Sequence, residues 1–172
     1  NDKLVQIIND NLEGKNINDL NTGNSWNEVL EKINNLVKNK DVHVEFKDSK
    51  TGNLKVGDKS VTVKLKLNDT ELETTINLDV KLSDQDLIKK VEENIKKHLD
   101  NLDTGNSWND ALVEIKKHIA ELVTSDEFKR LQITLEGGKD GATKLGVGDN
   151  NIQVKVAIKD NSNVSTELSI DL

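Results

Sequence analysis

Six residues, Thr22-Gly23-Asn24-Ser25-Trp26-Asn27, return unchanged as Thr104-Gly105-Asn106-Ser107-Trp108-Asn109. The offset is 104 − 22 = 82 positions in a chain of 172, and the apolar pattern on either side returns with it. A sequence written twice is expected to fold twice. The organisation it predicts is two tandem units, residues 1–83 and 84–172, each near the lower end of independently stable sizes. Hydrophobic residues are 34% of the chain, aromatics 2%, and there is no Tyr. Each core must therefore be built from Leu, Ile and Val around one Trp. Such duplication constrains architecture more than activity.

Each unit opens with an amphipathic helical pattern. In the first the stripe is Leu4, Val5, Ile8 and Leu12; in the second it is Leu87, Ile88, Val91, Ile95 and Leu99. Asp2 and Asp86 stand where N-caps belong. Gly23 and Gly105 are expected to supply the positive φ that redirects a chain after a helix. Ser25 with Glu28 forms a capping-box pattern, and Ser107 with Asp110 a weaker one. A second helix follows, with Trp26, Val29, Leu30, Ile33, Leu36 and Val37 apolar, or Trp108, Ala111, Leu112, Ile115, Ile119, Leu122 and Val123. So short a link predicts an antiparallel helical hairpin.

The period then drops to two. Val42, Val44 and Phe46 alternate with polar residues, as do Leu131, Ile133 and Leu135. A polar connection leads to Val-Gly-Asp at 56–58 and again at 147–149. A hairpin follows: Val61, Val63, Leu65 and Leu67 against Leu72, Ile76, Leu78, Val80 and Leu82. Its counterpart is Ile152, Val154, Val156 and Ile158 against Val164, Leu168, Ile170 and Leu172. Intervening polar residues give each sheet one wet face. The predicted fold class is thus α+β: two tandem α-α-β-β-β repeats, each a helical hairpin on one face of a small antiparallel sheet. Ser83-Asp84-Gln85 is the expected linker.

Cysteine is absent, which excludes disulfides, Cys-based metal sites and thiol chemistry from this sequence. Proline and methionine are absent too. A chain that opens on Asn without Met is expected to have lost an N-terminal segment. No run approaches the ~20 apolar residues of a membrane helix, so the chain is expected to be soluble. The net charge of −7 divides into −2 for residues 1–83 (12 Lys, 14 acids) and −5 for residues 84–172 (12 Lys+Arg, 17 acids). Neither half suits phosphate neutralisation or anionic lipid, so nucleic-acid binding is not expected.

The candidate ligand-binding residues are Trp26 and Trp108, because an exposed indole stacks on a sugar face or anchors a protein partner. The preferred reading is core anchor, since both stand in phase with the apolar stripe. His43, His98 and His118 lack ligand spacing, and no metal site is expected. Asp48-Ser49-Lys50-Thr51-Gly52-Asn53 and Gly137-Gly138-Lys139-Asp140-Gly141 resemble calcium loops only superficially and read as polar turns. Glu92-Glu93 and Asp69/Glu71 sit on lysine-rich faces. No catalytic triad, phosphate loop or dinucleotide fingerprint is present, so neither an enzyme nor a cofactor is expected. Asn68-Asp69-Thr70 and Asn163-Val164-Ser165 match the glycosylation sequon and read as equivalent hairpin turns.

Two segments, Asn106-Ser107-Trp108-Asn109-Asp110-Ala111-Leu112-Val113-Glu114-Ile115-Lys116-Lys117 and Ile152-Gln153-Val154-Lys155-Val156-Ala157-Ile158-Lys159, resemble spiralin and spiralin-like surface lipoproteins of Mollicutes. Those proteins are similar in their two tandem units and in poverty of aromatics. They share the lack of Met and the richness in Lys, Asn, Asp and Thr. Departures are the two Trp, the absence of Pro, and the lipid-bearing Cys, which in the mature lipoprotein would precede Asn1. The resemblance implies a lipid-anchored coat protein on the extracellular face of the bacterial membrane. It also implies adhesion to host glycoproteins or glycans. The expected function is therefore a non-enzymatic surface ectodomain and adhesin; the alternative is a carbohydrate- or peptide-binding module with a defined soluble ligand.

Overall fold

The structure, a computed structural model, describes residues 2–95, 107–136 and 151–171. The chain divides into two compact units, Asn1–Ser83 and Asp84–Leu172. It is an α+β protein, with five α-helices and two sheets among the described residues. The predicted elements around Leu99, Gly105, 137–141 and 147–149, together with Leu172, lie outside the described residues.

The N-terminal unit begins with α1 (Asp2–Ile7) and a π-helical turn at Ile8–Leu12, closed by Glu13 N–H donating to the Ile8 carbonyl at 2.7 Å. That wider turn changes the phase of the apolar stripe. Leu4, Ile7 and Leu12 are buried, Ile8 is half-buried, and Val5, expected inside, is 44% exposed. A uniform 3.6 period cannot anticipate one turn of a different pitch.

The expected short link between helices is instead a strand. β1 (Asn16–Asn21) precedes α2 (Trp26–Val37), followed by β2 (His43–Phe46), β3 (Ser60–Leu67) and β4 (Thr70–Lys81). The sheet order is β1-β4-β3-β2, with β1 parallel to β4 and the other pairs antiparallel. The first unit therefore has a mixed sheet, and neither an all-antiparallel sheet nor a directly linked helical hairpin. β1 escapes a period-two reading because its register against β4 shifts between Ile17 and Leu20. The two buried side chains stand three positions apart, as they would on a helix.

Strand alternation elsewhere follows from one covered face. Val61, Val63 and Leu65 of β3 and Ile76, Leu78 and Val80 of β4 are buried, and they join Val29, Ile33 and Val37 of α2 in one core. The opposite face is charged in register: Lys66 lies across from Glu71 and Lys64 from Glu73. Such cross-strand pairs favour this pairing register over its neighbours. The turn between β3 and β4 is two residues long, and Asn68 adopts φ 54° there. Asn is among the few non-glycine residues that tolerate this left-handed conformation.

The C-terminal unit contains α3 (Asp84–Ile95), α4 (Trp108–Leu122), α5 (Ser125–Lys129), β5 (Leu131–Leu135), β6 (Asn151–Ile158) and β7 (Asn161–Asp171). Its sheet, β5-β6-β7, is antiparallel throughout. Leu87, Ile88, Val91 and Ile95 are buried as the periodicity predicts. Helix α3 starts at Asp84, so Asp86 lies in the first turn and not at the cap, and two residues of the expected linker, Asp84 and Gln85, are already helical. Acidic side chains there face the positive end of the helix dipole. The β6–β7 turn is Lys159-Asp160, which places Asn163 within β7 and overturns its assignment to a turn.

Candidate functional site

Both candidate tryptophans open a helix, and both are buried with 6% of their surface exposed. Ser25 and Ser107 hold extended backbone before α2 and α4, and their hydroxyls accept from Glu28 N–H at 3.3 Å and Asp110 N–H at 3.1 Å. This cap sets the entry angle of the chain and turns the next side chain inward. The pattern that looked weaker forms the complete box: Asp110 Oδ2 accepts from Ser107 N–H at 3.3 Å. Glu28 instead accepts from the Asn24 side-chain amide.

Around Trp26 the chain builds a clasp. Trp26 N–H donates to the Gly52 carbonyl at 3.2 Å, and Leu54 N–H to the Asn24 carbonyl at 2.9 Å. Gly52 adopts φ 77°, and Leu54 beyond it is 2% exposed and anchors the loop in the core. Lys50 places its ammonium 5.1 Å from the indole centroid. The loop read as a polar turn at 48–53 thus packs over an indole edge-on to Phe46. Little of either tryptophan face is offered to solvent.

Gly23 does not adopt the positive φ expected of it. Its N–H donates to Asn21 Oδ1 at 2.7 Å, and a Cβ at this position would meet that oxygen at 2.9 Å. Glycine leaves room for this hydrogen bond, which a larger residue would keep only if the Asn21 side chain shifted.

His43 is exposed on β2, 3.6 Å from Glu45, and His118 on α4 lies 3.9 Å from Glu121; His98 lies outside the described residues. Among the described residues no group of three or more His, Asp or Glu converges as a metal site would require. In the C-terminal unit Glu127 Oε1 accepts from Thr124 N–H and from Lys90 Nζ, both at 2.9 Å. Partial burial pushes this carboxyl up, but those hydrogen bonds and the Lys90 charge outweigh it and hold it below its ordinary range.

A groove of about 330 Å³ runs beside β1 in the N-terminal unit, lined by Asn16, Ile17, Asn18, Asp19, Lys32, Asn35 and Leu36. Sequence reasoning did not find it, because it depends on the missed strand β1. Its rim is amide, carboxylate and ammonium; its floor is the buried Ile17 and the half-buried Leu36. Carboxamides both donate and accept, so such a rim suits hydroxyl- or amide-bearing molecules.

No protein-family model matches the chain, and no characterised protein matches it in sequence. No helix among the described residues is long and apolar enough to cross a membrane.

Proposed function

We propose that this chain is the non-enzymatic ectodomain of a bacterial surface lipoprotein, held at the extracellular face of the cell membrane by a lipid. There it coats the cell and acts as an adhesin for host glycoproteins. The observation behind this reading is the return of Thr-Gly-Asn-Ser-Trp-Asn, each copy opening a helix whose Trp is buried. What has been duplicated is scaffold. In this reading the two units are tandem repeats of a helix pair on one face of a small sheet, and β1 elaborates the first. The spiralin-like segments in α4 and β6 support it, as do open sheet faces of paired Lys and Glu that suit an exposed coat. Detergent-phase partitioning of the native protein, with protease treatment of intact cells, tests it. Recovery in the detergent phase with surface cleavage is expected; an aqueous, protease-protected protein would overturn it.

A second reading, a binding module for one small soluble saccharide or peptide, is favoured by the groove beside β1. In that case Asn35→Ala weakens saturable binding of a single ligand, whereas the coat reading predicts that adhesion is indifferent to the groove.

A further inference from the structure

The connection from α2 to β2 has five residues, 38–42; that from α4 to β5 has eight, 123–130, and five of these form α5. This helix buries none of its residues, and its ring, Phe128, is half-buried. A helix of five residues has no stability of its own. Two ion pairs tie it and its C-cap residue to α3: Lys90 Nζ lies 2.9 Å from Glu127 Oε1, and Arg130 Nη2 lies 2.9 Å from Asp84 Oδ1. Both partners on α3 are thereby engaged with one short segment. Glu127 Oε1 also closes the capping box with Thr124 N–H, so docking and capping share one oxygen.

We propose that α5 is a detachable segment, clamped to α3 by charge, that opens locally while the rest of the C-terminal unit stays folded. Apolar burial sets the opening cost of most elements; here only Phe128 contributes it, half-buried, and charge adds to it. The side chains in the two pairs are 13–35% exposed, so they are partly shielded from water yet still reached by salt. Release of Lys90 also weakens the cap on α5, which couples undocking to fraying of the helix. The open form presents Phe128 together with Asp84 and Lys90, a combined apolar and charged surface that the closed form does not offer.

Amide hydrogen exchange on the whole chain tests this, at about 0.05 M and about 1 M NaCl, where the screening length falls to roughly 3 Å. The reporters are Phe128 N–H, bonded to the Thr124 carbonyl, and Arg130 N–H, bonded to the Glu127 carbonyl. Their protection relative to β6 is expected to fall about two- to fivefold at high salt and in Lys90→Met, a range set by partly exposed ion pairs. Phe128→Ala should change it less. Reporters that ignore both salt and Lys90→Met would overturn the proposal. So would loss of protection in α5 and β6 together, or a larger effect from Phe128→Ala than from Lys90→Met.

Discussion

Trp26 and Phe46 meet edge to face, with ring centroids 5.6 Å apart and planes at 81°. In a core of Leu, Ile and Val this is the principal aromatic contact of the N-terminal unit, and it joins the start of α2 to the end of β2. Trp26→Ala should cost about 3–5 kcal/mol, the usual range for emptying a large aromatic site. A double-mutant cycle with Phe46→Leu should give a coupling of about 0.5–1.5 kcal/mol. Urea titrations followed by far-UV circular dichroism measure both. Buried indoles also predict emission well to the blue of free tryptophan and weak acrylamide quenching; a solvent-like spectrum would contradict the packing.

Substitutions at Gly23 and Gly52 should be unfavourable for different reasons. Gly52→Ala meets no atom within 4 Å but must hold φ 77°, so it should cost about 1 kcal/mol through backbone strain alone. Gly23→Ala has an ordinary backbone but drives a methyl into Asn21 Oδ1. Its cost should therefore shrink in an Asn21→Ala background, whereas that of Gly52→Ala should not. Thermal melts of the three single variants and the two doubles decide this; equal costs in both backgrounds would remove the steric account of Gly23.

The elements legible in the sequence are those governed by one uniform period. Helix α3 shows this: Leu87, Ile88, Val91 and Ile95 are read and found on one buried stripe. The hairpin of β3 and β4 follows equally from strict alternation. What was illegible breaks a period locally. The π turn at Ile8–Leu12 carries the stripe past Val5, and the register shift in β1 gives a strand the spacing of a helix. The candidate groove was lost with β1, since its walls pair one missed strand with a correctly read helix. Gly23 shows another limit, because a glycine kept for close approach looks in sequence like one kept for positive φ.

The helix caps should differ in a way their sequences do not suggest. Ser25→Ala and Ser107→Ala each remove an acceptor from a helix N-terminus and should cost about 1 kcal/mol. Asp110→Ala should also lower stability, because its carboxylate receives the Ser107 N–H. Glu28→Ala should lower it less, since that carboxylate binds the Asn24 side chain instead of the cap backbone. Paired urea midpoints test the asymmetry, which is refuted if Glu28→Ala costs as much as Asp110→Ala.

Glu127 should give the C-terminal unit an acid-sensitive component of stability. Burial opposes its ionisation, but the Thr124 N–H bond, the Lys90 bond and the Lys90 charge prevail, leaving the carboxyl below the ordinary 4.5 in the folded state. A depressed folded value means that the unfolded chain takes up the proton first as pH falls. The stabilisation is therefore complete above the ordinary value and is lost as pH drops through the folded one. Carboxyl chemical shifts should place the Glu127 midpoint below the ordinary 4.5. Lys90→Met should raise the midpoint and flatten the acid limb of the stability curve. Glu127→Gln should remove this component, leaving the variant less stable than wild type near neutrality but closer to it in acid. A Glu127 midpoint that does not move in Lys90→Met would mean that Lys90 does not bias its ionisation.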